Sequence, residues 1–512
     1  MAEAARSTAA ASAGGRTNAW ALVLPLALAQ FIASYAGTNM NVAITTIADD
    51  IGTTVIGMQT TITLFTLTMA SLMIPGSKLT DLLGRKVCFV LGLAVYGFGA
   101  LLALFAQGLG LMIVGYSVLE GVGSALMIPP IYILITVAFT DVRSRAKYFG
   151  VVSGAAGLGA AAGPLIGGLL TSGISWRAAF GLQVLVVAAV AFMARRIVDA
   201  RPTGPRPRFD VLGAALSAAG LFFVVLGILQ SGTYGWFVSR QDFTIGGTVI
   251  LPKGSISPVW LYVAVGALFL LWFFLHVSRR ERHGRDPLIA IRMFRNRVAN
   301  LGLGTQNIQW LVMQGSFFVI SVFLQQVRHY NAIETGLMLT PATIGILLAS
   351  GTAGRLARRR SQRFLIRIGF VVTTVGMVLL PVLVRDNSGV WTFIPGLLLM
   401  GLGIGVMLTS SVNVVQSSFP ERDQGEISGL SRSVSNLGSS MGVAFAGSIL
   451  VAASVPGGRP FLVSLVTLTV FSLIGLVAAL LLPREPGAAS AGTAEAAGDQ
   501  PRPTERSSTG PT

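Results

Sequence analysis

The chain has 512 residues, of which 53% are hydrophobic and 11% charged, with a mean hydropathy of +0.73. Those proportions fit no soluble class and place it among polytopic membrane proteins. A net charge of +17 and a pI near 11.1 would suggest nucleic acid if the cations shared one soluble face, so their placement decides.

Residues 1–19, small, polar and alanine-rich with Arg6 and Arg16, are predicted to be a disordered cytoplasmic lead. An uncleaved first span follows rather than a signal peptide, because the apolar pattern from Trp20 continues through Ala43, enough to cross a core about 30 Å thick. Apolar stretches near 20–44, 56–75, 87–106, 110–135, 148–172 and 177–198 make a first six-span half over 20–198. The break ARPTGPRPR (200–208) opens an insert at 199–278, with spans near 210–231 and 258–278 around an outside loop at 232–257. In that loop FTI and TVI flank Gly246-Gly247, a two-residue hairpin signal. A basic connector at 279–298 leads to a second half, 299–482, with spans near 299–327, 336–354, 364–385, 390–416, 425–452 and 460–482. The tail at 483–512 is too polar to fold alone and is predicted to be disordered and cytoplasmic.

Fourteen spans put both ends on one side of the membrane. Of the 37 Lys and Arg residues, 31 fall in the tails and loops on that side and 6 on the other, which predicts cytoplasmic termini. The same distribution makes the basic pI a topology signal and an anionic-lipid contact, with no nucleic acid needed.

Several chemistries lack their residues. The sequence has no Gly-Lys pair, hence no G-x-x-x-x-G-K-[ST] phosphate loop, and ATP cannot drive transport from within this chain. The lone Cys88 forms no intramolecular disulfide or cysteine metal site, and His276, His283 and His329 make no metal spacing. No nucleophile, base and orienting group meet at a recognisable spacing, so the chain does not read as an enzyme. The expected power source is a proton gradient, with no metal or organic cofactor.

The turn between spans two and three reads GSKLTDLLGRK (76–86), and span five carries GLGAAAGPLIGG (157–168). In a bilayer, small residues four apart let helices approach closely. The turn resembles the G-x-L-x-D-x-x-G-R-[KR] loop of the major facilitator superfamily at Leu79, Asp81, Gly84, Arg85 and Lys86, with Ser77 in place of the first glycine. Gly159, Gly163, Pro164, Gly167 and Gly168 match that superfamily's antiporter pattern G-x-x-x-G-P-x-x-G-G, and fourteen spans resemble its drug:proton antiporter branch. The resemblance covers 20–482 and implies an all-α major facilitator fold, two six-helix bundles plus two inserted helices. It also implies a cytoplasmic latch at Asp81, Gly84, Arg85 and Lys86, and a leak-proof seal at the span-five glycines.

Proton coupling needs a group that can change protonation at membrane depth. Of the twenty acidic residues only Glu120 lies well inside a span, in SVLEGVGSALMIPP (117–130), where burial favours the protonated form. Many family members carry an aspartate in span one and R-x-x-Q-G in span four. Here span one reads YAGTNMNVA (35–43), and Ser117 and Glu120 stand where that arginine and glutamine would be. This shift points to Glu120 as the proton site and leaves altered or lost coupling open.

Polar and aromatic side chains within apolar spans are candidates for a midplane substrate cavity: Tyr35, Asn39, Asn41, Gln59, Gln306, Asn307, Gln309, Trp310, Gln314, Asn413 and Gln416. Helix-packing contacts are the competing role of each. Arg432 and Asn436 in span thirteen read as packing or gate residues on the cytoplasmic side. The expectation is a monomeric exporter in a bacterial inner membrane that exchanges protons for a lipophilic drug or antibiotic. A dedicated exporter of one metabolite or lipid fits the same features, and from another class so does a transport-inactive sensor or assembly protein.

Overall fold

The computed structural model describes residues 2–139, 141–197, 209–245, 248–357, 359–384, 389–420, 423–452 and 459–483. The break at 200–208 and the tail beyond Pro483 lie outside them, as does the Asp81 side chain.

Helix α1 (Ala2–Asn39) already includes the lead for which disorder was expected. Its alanines are strong helix formers and no proline interrupts it before Pro25, while the segment apolar enough to cross a membrane begins at Ala19. A 3₁₀ turn (Met40–Ala43) then joins α1 to α2 (Ile44–Asp50). The rest of the first half is α3 (Val55–Leu83), α4 (Arg85–Leu104), α5 (Leu109–Met112), a π-helix (Ile113–Glu120), α6 (Gly121–Ala138), α7 (Val142–Gly173) and α8 (Trp176–Ala194). The insert holds α9 (Val211–Tyr234) and α10 (Pro258–Arg282), followed by α11 (Arg297–Gln326), α12 (Ala332–Ala357), α13 (Gln362–Leu383), α14 (Phe393–Ser417), α15 (Gln424–Ala452) and α16 (Pro460–Leu480). Side-chain caps fix many of the starts. Asp141 accepts from Ser144 N at 2.8 Å, Asp210 from Gly213 N at 3.0 Å and Asn296 from Val298 N at 3.0 Å. Between α9 and α10, β1 (Phe243–Ile245) pairs antiparallel with β2 (Thr248–Leu251).

Among the described residues, thirteen segments are long and apolar enough to cross a membrane. The difference from fourteen is α15, a 29-residue helix over the expected span 425–452. It is long enough, and most of its serines are buried. Ser431 donates to Gln306 of α11 at 2.9 Å, Ser440 to Thr63 O of α3 at 3.0 Å and Ser448 to Ile228 O of α9 at 3.1 Å. Serines bonded across helix interfaces can remain inside a bilayer. The apolar side chains face outward instead: Leu185, Leu268 and Val477 are more than half exposed. An apolar exterior around a partly polar interior is the arrangement of a protein solvated by lipid.

The helices alternate in direction, giving the molecule a hairpin end, where β1 and β2 lie, and a basic end, where α10 runs into Arg279, Arg280 and Arg282. Two seams join the halves, α3 against α15 and α7 against α12. Helix α9 packs on α15 and α3, covering the first seam, and Trp236 stacks on Phe445 at 5.3 Å.

Candidate transport site

Glycines set the second seam. The span-five stripe lies along α7, where Gly159, Gly163 and Gly167 press against Phe31, Thr38 and Asn39 of α1, within one half. Gly168 faces the other half: a Cβ there would stand 2.5 Å from Ala332 O of α12, and one at Gly336 would stand 2.6 Å from Pro164 O. Each half thus offers a glycine to the other's backbone. Thr343 Oγ1 donates to Ala161 O at 2.8 Å, and Ile333 N donates to Ser172 Oγ at 2.9 Å. Towards the basic end the seam opens, since a Cβ at Gly150, Gly154 or Gly157 of α7, or at Gly351 of α12, would meet nothing within 4 Å.

Amides fasten the hairpin end further. Gln325 Oε1 accepts from Thr45 N at 3.0 Å and Thr45 Oγ1 at 2.8 Å, while its Nε2 donates to Asn41 O at 3.0 Å. Gln314 Nε2 donates to Gly37 O at 2.9 Å. Beside these bonds a cavity of about 530 Å³, lined by Thr45, Asp49, Thr54, Gln325, His329 and Asn331, faces the hairpin end.

The α3/α15 seam is held along its length. Gln59 Nε2 donates to Ala444 O at 3.2 Å near the hairpin end. At the basic end Lys78 pairs with Glu426, Ser77 Oγ donates to Gly425 O at 3.2 Å, and Arg432 donates to Tyr132 of α6 with its guanidinium 5.2 Å from that ring. Of the latch residues expected from the turn, Gly84 makes the tight reversal at φ 96°, and Lys86 donates to Arg195 O at 3.1 Å within its own half. Contacts to the other half come from Ser77 and Lys78, four and three residues before Asp81.

Glu120 ends the π-helix, whose wider turn lets α4 come close: a Cβ at Gly99 would lie 2.6 Å from Gly115 O and 2.7 Å from Glu120 N. The side chain is fully buried, and neither carboxyl oxygen has a hydrogen-bond partner among the described residues. Tyr35 of α1, Tyr96 of α4 and Tyr116 act on it electrostatically. Tyr96 Oη donates to Gln183 Oε1 of α8, and Tyr116 Oη to Ala36 O at 2.9 Å. The Tyr35 hydroxyl, Asn39 Oδ1 and Gln183 Nε2 of the same half are likewise unpartnered among the described residues. Ser117, at the family's arginine position, donates to Thr61 O at 2.7 Å and brings no charge to the acid.

Residues 26–293, 243–443 and 305–508 match the model described as Major Facilitator Superfamily. The chain belongs to this superfamily. It is similar to the puromycin resistance protein pur8 of Streptomyces alboniger, 29% identical over 85% of this chain and 82% of that protein. It is also similar to the probable actinorhodin transporter of Streptomyces coelicolor (27%, over 84% and 72%) and the multidrug transporter protein MdtP of Bacillus subtilis (26%, over 86% and 77%).

In this major facilitator the residues expected to line a cavity separate into groups. Tyr35, Asn39 and Asn41 are buried in the first half. Gln306 is occupied by Ser431 and Ser435 of α15, and Gln309 accepts from Ser411 at 3.0 Å, both bonds within the second half. Gln416 donates to Ser428 at 3.3 Å, Trp310 is half-buried and Asn413 is exposed. Gln183 and Gln325 went unremarked in the sequence, although each is a lone amide within or at the end of an apolar span, the same signal that singled out Gln59 and Gln314.

Proposed function

We propose that this facilitator is a proton-coupled exporter of lipophilic small molecules, seated in a bacterial inner membrane with both termini in the cytoplasm. The observation carrying the reading is Glu120, an acid fully buried at mid-span with, among the described residues, neither oxygen partnered and no cation beside it. Such a carboxyl is stable as the neutral acid, and ionising it requires rearrangement or water, which makes proton release a conformational event. The relatives' names, which include puromycin resistance and multidrug transport, supply the substrate class. The greater density of Lys and Arg at the basic end supports the orientation.

In export, substrate enters from the basic end, where the α7/α12 seam is open, and leaves after the glycine and glutamine contacts at the hairpin end part. A proton taken up by Glu120 from outside resets the carrier, and its release inside completes the exchange. The test is proton flux from proteoliposomes on adding puromycin or ethidium. Export with counterflow of protons that disappears in Glu120→Gln is the expected result. Coupled flux that survives this substitution would remove Glu120 from the mechanism.

A further inference from the structure

The carboxyl of Glu120 is not isolated: Tyr96 stands beside it and Gln183 lies behind Tyr96. A tyrosine hydroxyl has one proton to give, and here its nearer acceptor is Gln183 Oε1, ahead of Ile32 O at 3.4 Å. The side of the Tyr96 oxygen that meets Glu120 therefore offers a lone pair. A protonated carboxyl can donate to that lone pair, whereas a carboxylate, which only accepts, would face it unsatisfied. Yet the same three groups can serve the carboxylate. If the Gln183 amide turns over, its Nε2, unpartnered in this structure, donates to Tyr96 Oη, and the tyrosine proton becomes free to point at Glu120. The two arrangements have equal numbers of hydrogen bonds and nearly the same shape.

We propose that Tyr96 and Gln183 are positioning residues that register the charge of Glu120 by reversing this two-bond relay, carrying its proton state from the π-helix through α4 to α8. The proposal rests on the reading of Glu120 as the proton site. No proton is consumed in the reversal: the Tyr96 hydrogen turns from Gln183 to Glu120, and the one Glu120 loses leaves to water. The titratable groups facing Glu120 are Tyr35 from α1, Tyr96 from α4 and Tyr116 from its own π-helix, and no charged side chain acts on it among the described residues. Tyr116 is engaged by Ala36 O, and Tyr35 lies beside Asn39, which leaves Tyr96 as the hydroxyl tied to a reversible partner.

The relay gives opposite signs to two conservative substitutions. Tyr96→Phe keeps the ring and removes the only proton the relay can turn towards the carboxylate, so Glu120 should hold its proton to higher pH. Gln183→Met keeps the volume and removes the nearer competitor for that proton, leaving only the longer contact to Ile32 O, so Glu120 should release its own at lower pH. Loss or gain of one charge-assisted hydrogen bond corresponds to a shift of about one pH unit each way.

The experiment is infrared difference spectroscopy of the full-length protein in lipid nanodiscs, titrated from about pH 5 to 10 without substrate. The carboxylic C=O stretch belonging to Glu120 is the one absent from Glu120→Gln. A midpoint raised in Tyr96→Phe and lowered in Gln183→Met is the expected result. A Glu120 band that titrates with the same midpoint in all three proteins, or moves the same way in both variants, overturns the relay and leaves the proton site standing. No Glu120-dependent band change anywhere in the range would overturn the proton-site reading itself, and the relay with it. Retained melting temperature in each variant separates these outcomes from misfolding.

Discussion

Adding one methyl group at Gly168 should unlock the hairpin end. In the structure that Cβ would lie 2.5 Å from Ala332 O and 3.2 Å from both Ala332 C and Ile333 Cα, all rigid backbone of the opposite half. No side chain can rotate aside, so α12 must move away from α7. Overpacking of this kind costs about 1–3 kcal/mol. The cost falls on the arrangement in which the two helices touch, so the equilibrium shifts about 5–150-fold towards the arrangement in which they are apart. The assay replaces Cys88 with serine and places a single reporter cysteine at Asn41, which is fully buried next to Gln325 in this arrangement. Thiol labelling of that cysteine should quicken in Gly168→Ala and likewise in Gly336→Ala, whose Cβ would meet Pro164 O at 2.6 Å across the same seam. Gly154→Ala, whose Cβ would meet nothing within 4 Å, should label like the parent. Equal labelling in Gly168→Ala and Gly154→Ala would refute the argument that the stripe holds the halves together at this end.

Reversing the ion pair at the basic end tests the other seam: Lys78→Glu should weaken closure there by about 1 kcal/mol, a small effect because both side chains are partly exposed, and adding Glu426→Lys should restore it. Cross-linking of cysteines placed on α3 and α15 reports the change. Gln325→Ala removes two bonds from the Thr45 side and one to Asn41 O, and should raise labelling of the reporter cysteine at Asn41 by about tenfold, close to the loss of one to two net hydrogen bonds. Its Glu variant, which keeps an acceptor for Thr45 but loses the donor to Asn41, should fall between.

The sequence made membrane class, helical architecture and family plain because those depend on averages and on short motifs with fixed spacing. Apolar runs of the right length need no tertiary knowledge, and the glycines of 157–168 announce close packing wherever they stand. What they pack against was not legible: Gly159 and Gly163 touch α1, whereas Gly168 touches α12, and only the assembled bundle distinguishes contact within a half from contact between halves. The partners of the span amides were equally hidden. Gln306 on a helical face looks available until Ser431 and Ser435, more than a hundred residues later, are found against it. Glu120 stood out as a lone acid at depth. Its π-helical setting did not, because the wide turn answers the approach of Gly99 on another helix rather than any local preference of IVGYSVLE.

The inserted helices bear on why the two seams behave differently. Helix α9 lies over the α3/α15 seam, where Gly232 comes within 3.3 Å of Ser448 Cα for an added Cβ, and α10 braces α9 from outside. At the basic end this brace is fixed through Asp210, which is nearly fully buried, caps α9 at Gly213 N, meets His276 Nε2 at 2.8 Å and lies 3.5 Å from Arg280 Nε. The cap and the charge can be separated. Asparagine caps a helix about as well as aspartate, so Asp210→Asn keeps the bond to Gly213 and gives up only the charge, while Arg280 retains its bonds to Asp286 O at 3.0 and 3.1 Å. Asp210→Ala loses both, including the 0.5–2 kcal/mol typical of a cap, roughly. If α9 is seated mainly by its cap and its glycine contacts, the melting temperature of the purified protein should fall clearly more in the alanine variant than in the asparagine one. Equal losses would mean that the carboxylate charge, through His276 and Arg280, fastens the inserted pair. The seam it covers would then be closed by an ionic clasp at the basic end rather than by helix packing.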